Sequence, residues 1–137
     1  MLREACPIVS PDPLHTEDLE RALDEAGARS GPVRVLSEVD STNDELRRWA
    51  KGGAPDWALV LAEAQTAGRG RRGRHWSSPP GRNLYLSVLA PMLTEPEQQP
   101  RLPILAAVAA ADALRDLAAE PGLKWPNDLL GRSGGKL

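Results

Sequence analysis

Residues Trp57 to Trp76 read WALVLAEAQTAGRGRRGRHW. The first eight, Trp57 to Ala64, are an almost unbroken apolar run, the pattern of a strand covered on both faces. The character then changes at once. Four arginines fall between Arg69 and Arg74, with Gly68, Gly70 and Gly73 among them and Trp76 just beyond. From Gln65 to Arg82 no helical or strand period is visible, and a loop that long inside a compact domain is usually functional or disordered.

Working outward, the next elements decide the fold class. Upstream, Thr16 is placed as an N-cap before Leu19, Ala22, Leu23 and Ala26, an i, i+3, i+4, i+7 helical face that Gly27 ends. Pro32 to Val39, PVRVLSEV, alternates as a short strand. In DSTNDELRRWAKGG, Thr42 and Glu45 have capping-box spacing, Leu46, Trp49 and Ala50 share a helical face, and Gly52 and Gly53 end it. Downstream, NLYLSVLAP predicts another strand. Leu102 to Ala119 predicts an Ala-rich helix with Pro103 in its first turn. GLKWP predicts an extended segment and Asn127-Asp128 a turn, and a further strand is expected to begin at Lys136-Leu137. This order indicates an α/β (α+β) domain with a mixed β-sheet and flanking helices.

Composition narrows the function. The net charge is −2, with 17 basic against 19 acidic residues, whereas a protein that coats nucleic acid carries a positive excess. The positive charge is local, which suits a small anionic ligand. A single cysteine, Cys6, permits no internal disulfide and fits a reducing cytoplasm. The first residues lack the apolar core of a signal peptide, and the most apolar stretch, Leu102 to Ala111, is too short to span a bilayer. No membrane partner is expected.

Three readings of the arginine segment compete. It can be a solvated basic surface loop, an RGG-like RNA-binding segment, or a loop that closes over a nucleotide or other small anion. In the third, glycine lets backbone N–H groups approach phosphate and arginine offers paired donors. A Walker-type phosphate loop is excluded, because no G-x-x-x-x-G-K-[ST] occurs. The flanks favour the third reading: RGG segments sit in low-complexity tails, but this one is pinned between two apolar strands.

AEAQTAGRGRRGRHWSSPPGRNLYLSV resembles the signature loop of the biotin protein ligases. DSTNDEL upstream, and LKWPNDLL followed by GGKL downstream, match further family segments in the expected order. The resemblance spans roughly Val33 to Leu137. It implies a catalytic domain with a mixed sheet, related to the lipoate ligases, and a two-step reaction. Biotin and ATP give biotinyl-5′-AMP, with Mg²⁺ as the expected ion, and a lysine of the biotin carboxyl carrier protein of a carboxylase then takes the biotinyl group.

The resemblance also assigns residues. Ser41, Thr42, Asn43 and Gln65 match biotin-contacting positions, and Thr42 reads equally as a helix cap. Arg69, Gly70 and Arg71 form the part of the loop that meets biotin and its adenylate, with Arg72 and Arg74 as supporting charge. Trp76 matches a ring that packs near adenine, or else simply anchors the loop. Lys124, Asn127 and Asp128 resemble residues lining the adenylate region, Pro126 shapes their turn, and a plain strand and polar turn is the rival reading. Lys136 and Arg71 are the expected main electrostatic catalysts. No protein-held metal is expected, and His15 and His75 read as solvent-facing.

Two departures from the family shape the expectations. Residues 1–31 read as a leader and one helix, with no room for a winged DNA-binding domain, so no DNA partner is expected. The catalytic region is placed at 32–137 and is expected to be incomplete at its C-terminus, with little ligase activity by itself. The alternatives are an RNA-binding module and a lipoate–protein ligase; the GRGRRGR and KWPND segments argue against the latter. The sequence does not fix the oligomeric state.

Overall fold

The computed structural model describes residues 13–28, 31–70, 73–91, 96–117 and 120–135. The chain divides into two compact units, Met1–Pro91 and Met92–Leu137.

The first unit is built on a three-stranded sheet of order β1-β2-β3, comprising β1 (Val33–Val39), β2 (Leu59–Gln65) and β3 (Tyr85–Val88). β1 and β2 are parallel, with Val33 opposite Leu59 and Val39 opposite Gln65. β2 and β3 are antiparallel, with Leu59 opposite Val88 and Ala62 opposite Tyr85. The expected mixed sheet is therefore present. Parallel neighbours need a crossover, and α2 (Thr42–Lys51) supplies it. β2 lies in the middle, which explains its unbroken apolar sequence: Val60, Leu61, Ala62 and Ala64 are all buried. It begins at Leu59 instead of Trp57, because Trp57 takes a left-handed backbone (φ 65°) that a strand cannot continue.

α2 packs its apolar face on this sheet. Leu46, Ala58 and Val60 form the core, with Leu36, Trp49, Ala54 and Leu89 around them. At the rim the Arg34 guanidinium lies 3.7 Å from the centre of the Trp49 ring and donates to Glu45 Oε1 at 3.3 Å. A cation over an indole covers apolar surface while keeping its own charge hydrated. α1 (Thr16–Glu25) packs against β1 and buries no residue of its own; just before it, Leu14 N–H donates to Glu63 Oε1 at 2.8 Å. Its N-cap is His15, not Thr16, and makes no side-chain capping bond.

The second unit holds a 3₁₀ segment (Pro96–Arg101), α3 (Leu102–Asp116) and a hairpin of β4 (Gly122–Lys124) and β5 (Asp128–Leu130). α3 keeps its early proline and buries Ala107 and Ala111, four residues apart on one face. It stops at Asp116, earlier than the expected Ala119. The expected turn is shifted by one residue. Trp125 to Asn127 form it, with a cis Trp125–Pro126 bond, while Asp128 pairs with Lys124 in the ladder. The strand expected at Lys136-Leu137 lies outside the described residues.

Val60 is fully buried at the centre of the first unit's core. Val60→Ala should cost about 2 kcal/mol of that unit's stability through lost burial and a residual cavity. Urea unfolding followed by tryptophan fluorescence measures it.

Candidate functional site

The site assembles where β1 and β2 end side by side. Beyond β1 the chain turns through Asp40 and Ser41 into α2, and beyond β2 it enters the arginine segment. Two backbone bonds lace these exits together: Thr66 N–H donates to Val39 O at 2.9 Å, and Ala67 N–H to Asp40 O at 2.8 Å. Segments separate in sequence are thus neighbours at one end of the sheet.

The start of α2 corrects the capping-box expectation. Ser41 is the N-cap, in extended conformation, and makes no side-chain capping bond. Thr42 is the first helical residue, and its N–H is satisfied from across the sheet: Gln65 Oε1 accepts it at 2.9 Å. The Thr42 hydroxyl also reaches Gln65 Oε1, at 3.2 Å, and lies 3.0 Å from Ser87 Oγ on β3. Ser41 and Thr42 are both 5% exposed, so these two residues are shut from bulk water.

Asp40 braces the same turn. Its carboxylate accepts Ser41 N–H at 2.7 Å and takes a two-pronged grip from Arg48, at 2.9 and 2.8 Å. Arg48 also donates to Glu45 Oε2 at 2.8 Å. The hydrogen bonds from Arg48 and from the Ser41 amide lower the Asp40 carboxyl to about 2. Asp40 and Glu45, in turn, raise the guanidinium of Arg48 above its usual value.

The arginine segment is more ordered than its sequence suggests. Its limbs meet at two isolated antiparallel bridges, Gln65 with Ser78 and Arg69 with His75. Trp76 N–H donates to Gly68 O at 2.8 Å and Gly70 N–H to Arg74 O at 2.7 Å. Tyr85 ties down the returning limb through its hydroxyl, which donates to Pro79 O at 3.0 Å.

Gly68 sits where no side chain fits. A Cβ there would lie 2.8 Å from both Ser78 Oγ and Trp76 O, and 3.3 Å from Gln65 Nε2. This glycine allows the two limbs to close on the Gln65 amide. The sequence reading had given the glycines a different task, approach to phosphate.

Arg69 reaches back to the first turn of α2, where its NH2 donates to Asp44 Oδ2 at 2.6 Å. Asp44 is mostly covered and Arg69 largely exposed. Thr42 and Gln65 are therefore in direct contact, and Arg69 is bonded to the same helix start through Asp44. Ser41 is the N-cap just before Thr42, and Asn43 is exposed on α2; Gly70 bonds Arg74 within the arginine segment. Arg74, His75 and Trp76 are exposed on the returning limb, and His15 is exposed too. Lys124, Asn127 and Asp128 belong to the β4–β5 hairpin of the second unit; Lys124 is exposed and the other two are half-buried. Arg71, Arg72 and Lys136 lie outside the described residues. Among the described residues, no group of three or more His, Cys, Asp or Glu is placed to hold a metal. No helix of the described residues is long and apolar enough to cross a membrane.

Five residues of this arrangement carried no expectation: Asp40, Asp44, Arg48, Ser78 and Ser87. Ser87 left a signal, as the one small polar residue inside the strand YLSV. Asp44 left a fainter one, as an acid in the first turn of a helix.

Comparison with known proteins fits this geometry. Residues 35–137 match the Biotin/lipoate A/B protein ligase family model. The chain belongs to that family. Within it, the chain is 40% identical over 131 residues to the biotin--[acetyl-CoA-carboxylase] ligase of Mycobacterium tuberculosis, covering 91% of this chain and 49% of that protein. Its fold resembles the Leishmania major biotin protein ligase solved with biotinyl-5-AMP: TM-score 0.63, 34% identity, 77% of this chain and 49% of the other. It also resembles the Aquifex aeolicus biotin protein ligase solved with biotin and ATP: TM-score 0.59, 35% identity, 71% and 40%. The chain spans about half the length of the Mycobacterium relative, and less of the ligase/repressor of Escherichia coli, 36% of which it matches.

Two outcomes follow from the geometry. A carboxylate held low in the fold favours the folded state above its ordinary value of 3.8, and that contribution fades as pH falls from there through about 2. A carboxyl-carbon NMR titration should place the Asp40 midpoint near 2, and Arg48→Ala should return it toward 3.8. Gly68→Ala should force the limbs apart and destabilise the first unit by about 1–3 kcal/mol, read by thermal melting; Gly70→Ala, whose Cβ would meet Arg74 no closer than 3.5 Å, should have a smaller effect.

Proposed function

We propose that this chain carries the biotin- and nucleotide-handling part of an ATP-dependent biotin protein ligase, with the catalytic region running from Pro32 onward. The observation that carries the reading is the junction of two motifs. Gln65 and Arg69 of the arginine segment bond directly to Thr42 and Asp44 of DSTNDEL, at 2.9 and 2.6 Å. Relatives solved with biotin and ATP, or with biotinyl-5-AMP, support the choice of substrates. The named relatives are biotin ligases, which favours biotin over lipoate.

In the first step an oxygen of the biotin carboxylate attacks the α-phosphorus of ATP. The bond to the β-phosphate oxygen breaks, pyrophosphate leaves, and a carboxylic–phosphoric anhydride remains. In the second, the neutral amine of an acceptor lysine attacks the acyl carbon. An amide forms, AMP departs, and the amine proton goes to solvent or base. The acceptor is the biotin carboxyl carrier protein of a carboxylase, in the cytoplasm.

Bringing a carboxylate to a polyphosphate is electrostatically unfavourable: two unit charges 4 Å apart repel by about 4 kcal/mol at an effective dielectric of 20. Fixed guanidinium groups offset this and stabilise charge developing on the phosphoryl oxygens. Arg69 and Arg71 take this role, with Lys136 at the reacting carboxylate and Arg72 and Arg74 as supporting charge. Ser41, Thr42, Asn43 and Gln65 hold the ureido end of biotin, beside the backbone at Gly70. Trp76 packs near adenine, and Lys124, Asn127 and Asp128 line the adenylate region. Any Mg²⁺ arrives bound to the triphosphate, as this ion keeps phosphate and water ligands in such sites.

Biotin-dependent exchange of labelled pyrophosphate into ATP, run on the chain and on a version extended past Leu137, tests the reading. Exchange should require biotin, lipoate should not replace it, and joint replacement of Arg69 and Arg71 by Ala should lower the rate at least about a hundredfold. Exchange indifferent to biotin, or to both arginines, would overturn it. Salt-sensitive RNA binding with no response to biotin would favour the RNA-binding alternative instead.

A further inference from the structure

We propose that Ser78 is a positioning residue for biotin recognition, holding the Gln65 side-chain amide in the one orientation that keeps Thr42 in place. This rests on the biotin reading given above and deepens it, because neither the motifs nor the relatives give Ser78 a role.

Ser78 is 6% exposed and makes three separate contacts at the closing point of the arginine segment. Its hydroxyl accepts from Gln65 Nε2 at 3.0 Å and donates to Trp76 O at 3.4 Å. Its backbone carbonyl accepts Gln65 N–H at 3.1 Å. A hydroxyl has one proton. With that proton on the Trp76 carbonyl, the oxygen faces Gln65 as an acceptor, so the Gln65 end toward Ser78 must be the NH₂.

The other end of the amide is fixed by different chemistry. The Thr42 backbone N–H can only donate, so it requires Oε1, and the two meet at 2.9 Å. An inverted amide would set NH₂ against that N–H and leave a buried helix-end donor unsatisfied, which is costly. Ser78 and Thr42 thus grip the amide from opposite ends and agree on its polarity. Gly68 closes the grip from the side, since even a methyl group there would press on Ser78 Oγ at 2.8 Å.

The consequence is selective. Loss of the Ser78 hydroxyl frees the Nε2 end of Gln65 to rotate. Biotin then meets a mobile amide and a less firmly seated Thr42. The guanidinium of Arg69 keeps its own anchor on Asp44, so handling of the nucleotide is not disturbed.

The test is titration calorimetry of the chain with biotin and, separately, with ATP and Mg²⁺, for the parent, Ser78→Ala and Ser78→Cys. Biotin binding should weaken by about three- to tenfold in Ser78→Ala, the range expected for one buried neutral hydrogen bond. Ser78→Cys, which keeps the shape and a weaker acceptor, should fall between. ATP affinity should not change in either variant. NMR supplies a readout independent of ligand: the Gln65 Nε2 protons should resonate apart in the parent and draw together in Ser78→Ala. If Ser78→Ala does not fold, the comparison of Ser78→Cys with the parent decides. Unchanged biotin affinity in the folded variants would overturn the inference alone. So would equal loss of biotin and ATP binding, the mark of a merely structural role. A parent chain that takes up no biotin would defeat the underlying reading, and this inference with it.

Discussion

One hydrogen bond organises the first unit: the carbonyl of the Gln65 side chain accepting the first N–H of α2. Helix starts leave N–H groups without partners, and a neighbouring side chain usually satisfies them. Here the partner comes from the end of a strand 23 residues later in the chain. The helix cannot begin in the right place unless the parallel pairing of β1 and β2 is in register through Val39 and Gln65. Conversely, a shift of the sheet by one residue would strand both the amide and the helix end. Secondary structure, sheet register and site geometry are therefore determined together.

The same junction changes the meaning of the arginine cluster. A run of positive charge suggests bare cations waiting for an anion. In the folded chain Arg69 is already held by Asp44, the one acid of DSTNDEL that reaches the basic segment among the described residues, while Asp40 and Glu45 pair with Arg48. Such pairing in partly exposed positions adds little stability. Its value is geometric, because a long side chain held at one end loses less freedom when a ligand arrives. The two motifs work as one surface.

What the sequence made legible follows from its physics. β2 was readable because a central strand must be apolar on both faces, and α2 because Leu46 and Trp49 repeat on a helical face. The family motifs DSTNDEL and GRGRRGR lie on the two sides of the junction that Thr42 and Gln65 form. The capping box was misread because Thr42 and Glu45 have the right spacing, while the partner that satisfies the helix lies far along the chain. No local pattern encodes that. The bridges within the arginine segment have no local signature for a similar reason. Its order comes from cross-chain bonds and from the close approach at Gly68, and neither produces hydrophobic periodicity. Ser78 is one of two serines in SSPP, and nothing in that string separates the buried one from its exposed neighbour.

The bond between Asp40 and Arg48 also bears on how rates measured on this scaffold should be interpreted. A carboxylate that ionises so readily, gripped by a cation that stays charged, keeps the Asp40–Arg48 bond in one charge state between mild acid and mild base. This pair then contributes no titration of its own there. Under the proposed transfer reaction, curvature in a rate profile over that range would not come from this pair; the incoming amine, nucleophilic only after it gives up a proton, is one group that titrates.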